Sequence, residues 1–388
     1  MFEEFLKPVS LESLDIIDPL PSSWGSRVSF NSKSLKELVE VDIAIIGVKE
    51  SRESRANEGC AAAPDEIRRQ LYALMCNPNP LRIIDLGNIE PGFSVNDTVV
   101  ALTQVVYELH KQNIVSVIIG GSQYLTYAQF KGHRDSKGMI NVVNIDNRID
   151  LYENEDKSTI NSDTYLVKML TELPNNLFNY THLAYQTHFV STETLNSVER
   201  LHFDHYRLGK LRENITYAEP MLRNAYVVSF DIGAIRSSDA PANEVAGPNG
   251  LSGEDGCQLA RYAGASHNIS SFGIYEVNPE FDNRGQTAQL AAQIIWYFVD
   301  GFYSRMVEKI DKKSSEYIKY TVNPKDQQYE LVFWKSKKSD LWWMEIPYKK
   351  EGKKKEQTYL LPCSYFDYQQ ATHDDLPERW LKAYHKLS

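Results

Sequence analysis

A chain of 388 residues with 42% hydrophobic content can bury one large core or two smaller ones. Its formal net charge of −10 argues against a general nucleic-acid binder. Cys60, Cys76, Cys257 and Cys363 form no CxxC pair, a reduced, intracellular pattern without zinc-finger spacing. The first twenty residues are acidic and interrupted by proline, with no basic region leading into an apolar core. No stretch reads as long enough to span a membrane, so the expected location is cytoplasmic.

After an irregular segment over 1–40, apolar runs alternate with helical patterns. The runs at 41–48, 82–89, 115–121, 138–146, 181–189, 225–232 and 270–278 read as buried strands. A proline followed by acids opens a helix over 63–74, and a long helical pattern covers 95–113. Further helices are expected near 121–131, 191–202, 253–266 and 286–310. Near-continuous Val/Ile strands joined by helices predict an α/β fold over 41–311, a three-layer α/β/α sandwich around a mostly parallel sheet. Ligands of such sheets sit at the carboxyl ends of the strands. Four of those ends are polar: GGSQY (120–124), NIDNRID (144–150), SFDIG (229–233) and YEVNP (275–279).

The texture changes at residue 312. Residues 312–388 hold 15 Lys and Arg against 11 Asp and Glu, whereas 1–311 hold 27 against 41. Trp334, Trp342, Trp343 and Trp380 all fall in this basic tail. Its YIKYTV, YELVFWKS, LWWMEIPY and TYLLPCS predict short antiparallel strands, KKEGKKKEQ a hairpin loop and LPERWLKAYHKL a closing helix. The tail is read as a separate module carrying a partner-binding surface.

The order GGSQYLTY, NIDNRID, SFDIGAIRSSDAP and YEVNP, with RANEGCAAAPDEIRRQL ahead of them, resembles the ureohydrolase family of arginase, agmatinase and formimidoylglutamase over roughly residues 40–305. The resemblance implies an arginase-like fold and two Mn²⁺ ions held by GG-D-H-S, D-A-H-x-D and S-x-D-x-D segments, each ion lowering the pKa of a bridging water. Carried over, the first histidine position is Gln123. The second segment keeps Asp146 and Asp150 but has Arg148 in place of histidine. The third keeps Asp231 and has Gly233 where a carboxylate stood. Half of the ligand set is therefore replaced, by an amide, a cation and a residue without a side chain. Arg148 is expected to pair with the three aspartates where the metals would sit. Glu276 matches the family's substrate-contacting glutamate.

Other candidates are weighed against bland readings. Ser122 follows two glycines but lacks a G-x-S-x-G setting and a paired histidine, so it reads as a hydrogen-bonding loop residue. His182 and His188 on an expected strand, and His202 and His205 at an expected helix end, lack the carboxylate company of a metal site. AGPNGLSGEDG lacks a P-loop lysine. Cys257 follows acids, which disfavour a thiolate. These residues support a catalytically inactive ureohydrolase-fold protein, with no catalytic residues and no cofactor, acting as a binding or scaffolding part of a protein assembly. A protein partner and a homo-oligomer are expected and nucleic acid is not favoured. One alternative is a divergent formimidoylglutamase or arginase-type hydrolase of a guanidino or formimino substrate, with Mn²⁺ on Asp146, Asp150 and Asp231. The other is a small-ligand sensor that retains the guanidino pocket around Glu276.

Overall fold

The Val/Ile-rich runs pair as the alternation predicts. In the computed structural model, residues 3–387 are described apart from 32–37, 39, 55, 77–81, 137, 153–159, 307, 309, 325–329 and 350–356. The strands of the main sheet are β1 (Ser29–Phe30), β2 (Ile43–Val48), β3 (Ile83–Ile89), β4 (Val115–Ile119), β5 (Ile140–Ile145), β6 (Leu177–Tyr185), β7 (Asp204–Arg207), β8 (Val227–Asp231) and β9 (Ser271–Tyr275). They lie in the order β1-β3-β2-β4-β9-β8-β5-β6-β7, with all pairings parallel. The four strands with polar carboxyl ends, β4, β9, β8 and β5, are therefore neighbours at the middle of the sheet, where chain order reverses and a crevice opens.

Helices cover both faces. On one side lie α1 (Trp24–Arg27), α2 (Ala63–Ala73), and, after α3 (Val95–Lys111), α4 (Leu125–Lys131), α5 (Tyr165–Thr171) and α6 (Thr192–Arg200) on the other, again α7 (Leu208–Glu213), α8 (Glu219–Arg223), α9 (Gly253–Gly264) and α10 (Gln286–Ser304). Strand geometry divides the apolar side chains between the two cores. Along β2, Ile43 and Ile45 enter one core, and Ala44, Ile46 and Val48 the other. Reciprocal capping by Ser94 with Asp97 and by Ser252 with Asp255 sets where α3 and α9 begin. A fully buried ion pair, Arg68 of α2 to Asp85 of β3 at 2.6 Å, pins helix to sheet.

Two local readings are corrected. His205 lies on strand β7 rather than at a helix end: Asp-His-Tyr-Arg carries no apolar alternation because an edge strand is only partly covered. The run 181–189 ends as a strand at Tyr185, and His188 stands in the 3₁₀ turn Thr187–Phe189.

The tail forms a four-stranded antiparallel sheet of β10 (Tyr317–Val322), β11 (Leu331–Ser336), β12 (Trp342–Tyr348) and β13 (Gln357–Cys363), followed by α11 (Tyr365–Thr372) and α12 (Glu378–Leu387). Most of the lysine hairpin KKEGKKKEQ lies outside the described residues. Phe333, Trp342, Met344 and Trp380 make a core of the tail's own. All four of its tryptophans are buried, whereas Tyr365 and Phe366 of α11 are exposed. The tail also docks on the parallel sheet. Arg223 of α8 donates to the carbonyls of Trp342 (3.1 Å) and Cys363 (3.2 Å) and stacks on Trp343. Phe178 meets Tyr359, and Lys382 donates to the carbonyl of Phe203 at 3.1 Å, beside edge strand β7. No helix among the described residues is long and apolar enough to cross a membrane.

The docking contacts predict that the tail cannot be removed cleanly. Deletion of 312–388 is expected to give aggregation or a large fall in melting temperature. Arg223→Ala in the full chain should cost on the order of 2–3 kcal/mol in chemical denaturation, since two buried carbonyls lose their donor. A truncated chain that melts like the full one would contradict this.

Candidate active site at the carboxyl ends of the central strands

One cavity of about 40 Å³ collects Gln123, Asp146, Arg148, Asp150, Asp231, Gly233 and Glu276, together with Asn147, Ser162, Asp163, Asn243 and Val245. The sheet delivers these residues: Gln123 follows β4, Asp146 to Asp150 follow β5, Asp231 ends β8 and Glu276 follows β9. Two larger surface hollows, of about 790 and 820 Å³, lie away from these strand ends.

Glu276 holds the ends together. Its Oε1 accepts from Ser122 Oγ (2.7 Å) and the Gln123 backbone N–H (2.7 Å). Its Oε2 accepts from Asn57 Nδ2 (2.7 Å) and Ser54 Oγ (3.0 Å). Residue 276 is left-handed, with φ 65°, a conformation a non-glycine residue holds only under constraint. The constraint comes from the backbone: its N–H donates to Gly121 O at 2.9 Å, and its carbonyl accepts from Asn57 and Asn243. Gly121 is itself at φ 77°, and a Cβ there would meet the carbonyls of Glu50 and Val48 at 2.8 and 2.9 Å.

The three aspartates are treated differently. Burial pushes Asp146 up to about 7, against the pull of the Arg148 and Asn147 backbone N–H groups. Asp150 rises well above the carboxylate range through burial and then the charge of Asp146, with which it shares a hydrogen bond. Asp231 rises likewise through burial, then through Asp146 and Glu276. A carboxyl pair joined this way holds a proton between its members. Asp231 Oδ1 accepts the Gly233 N–H at 2.6 Å, and a Cβ on residue 233 would stand 3.0 Å from that oxygen. The glycine thus leaves Asp231 room to close on its own turn.

Arg148 does not neutralise this cluster, which corrects the expected Arg–Asp network. Among the described residues no ion pair joins it to Asp146, Asp150 or Asp231; its guanidinium lies 4.2 Å over the Phe189 ring and its buried Nε has no hydrogen-bond partner. Only its backbone N–H reaches Asp146 Oδ1, at 3.3 Å. Stacking on an aromatic face satisfies the cation without drawing it inward. Gln123 gives both amide protons away, to Asn144 Oδ1 (2.8 Å) and Ser229 Oγ (2.9 Å), and its buried Oε1 has no partner.

This donor set does not fit two Mn²⁺ ions. It offers an amide, a cation and a bare backbone at three positions where the resemblance implies ligands, no imidazole, and carboxylates that retain protons. Among the described residues no group of three or more His, Cys, Asp or Glu is arranged to hold a metal ion. His182 supports from behind: its Nε2 bonds the Asp146 carbonyl at 3.1 Å, and burial pushes its pKa down to about 3, so the ring is neutral. His188, His202 and His205 lie outside the cavity, His202 stacking on His385. Ser122 is the hydrogen-bonding residue expected of it, shared between Glu276 and Ser162. Cys257 is buried, with its thiol pushed up to about 11, first by burial. Sequence reasoning missed Ser54, Asn243 and Phe189, which reach the site only through tertiary contact and carry no motif signal, and it did not single out Asn57 within RANEGCAAAPDEIRRQL.

Two outcomes follow from this balance. Glu276→Gln, which sets an amide donor against two existing donors, should cost on the order of 3 kcal/mol in urea unfolding; unchanged stability would refute the clamp. For Asp146, the folded carboxyl keeps its proton up to about 7 while the unfolded one releases it near 3.8. Between those values the folded state binds more protons, so stability falls as pH rises. Asp146→Asn should therefore gain melting temperature over the native chain progressively from about pH 4 to about pH 8, reaching a few kcal/mol. A pH-independent difference would be incompatible with the raised pKa.

Comparison with known proteins agrees with this fold. Residues 41–300 match the arginase family. Formimidoylglutamase from Streptococcus gordonii is 26% identical over 298 residues, covering 71% of this chain and 90% of that protein. The crystal structure of formimidoylglutamase from Bacillus subtilis superposes with a TM-score of 0.64 at 22% identity, covering 68% of this chain and 88% of that one. That of Trypanosoma cruzi formiminoglutamase with Mn²⁺ gives 0.64 at 19% identity, over 77% and 100%. These relatives overturn the expectation of a catalytically inactive scaffold. The likeness runs to proteins named formimidoylglutamase over most of both chains, and the aspartates that were expected to be consumed by ion pairs are left facing the cavity. The chain belongs to the arginase family.

Proposed function

We propose that this chain is a divergent hydrolase of a formimino or guanidino compound, breaking a C–N bond at the amidine carbon. The observation that carries the reading is the cavity's carboxyl-rich floor. Asp146, Asp150 and Asp231 face it without a cationic partner among the described residues, and Gln123 Oε1, on a residue 1% exposed, has no donor. The chemical complement is small, planar, positive and rich in donors, as an amidinium or guanidinium head is. About 40 Å³ accommodates roughly two or three water-sized groups, a head group rather than a whole molecule. The relatives named formimidoylglutamase support the same class.

The chain's own residues suffice to write the proton transfers. The Asp146–Asp150 pair shares one proton, so one member is a base and the other an acid. The basic member takes a proton from water as the water oxygen bonds to the amidine carbon. The acidic member then delivers its proton to the departing nitrogen as the C–N bond breaks, and the pair is restored. No step is routed through a metal, because the donor set does not fit the two-metal centre.

The test is turnover of formimidoylglutamate, arginine and agmatine by the purified full chain, in EDTA and in excess Mn²⁺, followed by release of the amine product. Hydrolysis of at least one, lost on the order of a hundredfold or more in Asp150→Asn, is the expected result. No hydrolysis of any of the three under either condition would overturn the proposal.

A further inference from the structure

Arg148 is a cationic side chain of the cavity that neither the fold nor the proton transfers use. It is half-buried where the aspartates are buried, so it marks the solvent side of the same cavity. It makes no ion pair with them among the described residues. Its plane is fixed by the Phe189 ring at 4.2 Å, and its buried Nε has no partner. A guanidinium held flat by a ring, with donors left over, is built to receive a planar anion through its fork. The cavity consequently has two unlike ends. The inner end presents three buried carboxyl groups and the orphaned Gln123 Oε1, on a residue 1% exposed, and the half-buried outer end presents a fixed cation.

We infer that Arg148 is the specificity-determining residue that binds the carboxylate of the substrate whose amidinium head occupies the inner end. The chain then selects amidino acids, which carry a guanidino or formimino group and a carboxylate, over amidino amines that lack the carboxylate. The inference rests on the cation-binding reading of the cavity. It also accounts for a cation where a metal-ligating histidine is replaced: the charge serves the far end of the ligand and leaves the aspartates free for the head.

Arginine and agmatine share one guanidino head and differ by the carboxylate, so their binding to the full chain by calorimetry isolates Arg148. Guanidinium chloride probes the inner end alone. The native chain should bind arginine roughly tenfold or more tightly than agmatine, as a charge-assisted hydrogen bond requires. Arg148→Gln should bring the two to parity while guanidinium affinity stays within about twofold. Arg148→Lys, which keeps the charge and loses the fork, should restore part of the preference. Agmatine bound as tightly as arginine by the native chain, or an arginine preference that survives in Arg148→Gln, would overturn the inference while leaving the cation pocket standing. Failure of the native chain to bind guanidinium or either amidine would overturn the pocket reading and the inference with it. Arg148 supports no ion pair in the fold, so matching melting curves will show that the variants compare like with like.

Discussion

Everything at the carboxyl edge of the sheet depends on the single carboxylate of Glu276. Four donors from two different stretches of chain converge on its two oxygens: Ser54 and Asn57 after β2, Ser122 and Gln123 after β4. A buried charge is tolerable only when hydrogen bonds replace its water, and here they do so fully. The left-handed backbone at residue 276 is the cost of aiming that side chain back under the loops. With those loops fixed, Gln123 is held facing the aspartates with its oxygen unanswered.

The aspartates follow the opposite logic. Desolvation raises all three, and mutual proximity adds to it for Asp150 and Asp231, so the cluster retains protons that ordinary carboxyl groups would release. A fold gains nothing from such an arrangement, since replacing buried charges with neutral groups of the same shape commonly stabilises. Groups held at this disadvantage mark the place where a protein keeps chemistry at the expense of stability. Arg148 stacks on Phe189, and its charge only partly offsets the burial of Asp146 and Asp150.

The tail meets a different need. A nine-stranded sheet exposes an edge at β7, a short strand with the polar sequence Asp-His-Tyr-Arg. The β10–β13 sheet and α12 pack beside it through Lys382, Lys386, Phe178 and Phe203. Covering an edge in this way removes a template for pairing with another chain.

The parallel sheet was legible in the sequence because strands buried on both faces must be apolar throughout, and Val/Ile runs separated by helical patterns have no other economical packing. The polar residues at four strand ends were legible for the same reason: any break in such a run is conspicuous. The resemblance to the ureohydrolase family implies that Gln123, Arg148 and Gly233 stand where that family's metal ligands would. Edge strand β7 was not legible, since half-covered residues carry no alternation. The direction of Arg148 was decided by tertiary structure alone. Local sequence shows a cation between two aspartates and argues for an ion pair; only the fold brings Phe189 from the turn after β6 beneath the guanidinium. Charge counting reads what is near in the chain, whereas which partner an arginine takes is settled by which surfaces the sheet brings within about 4 Å of it.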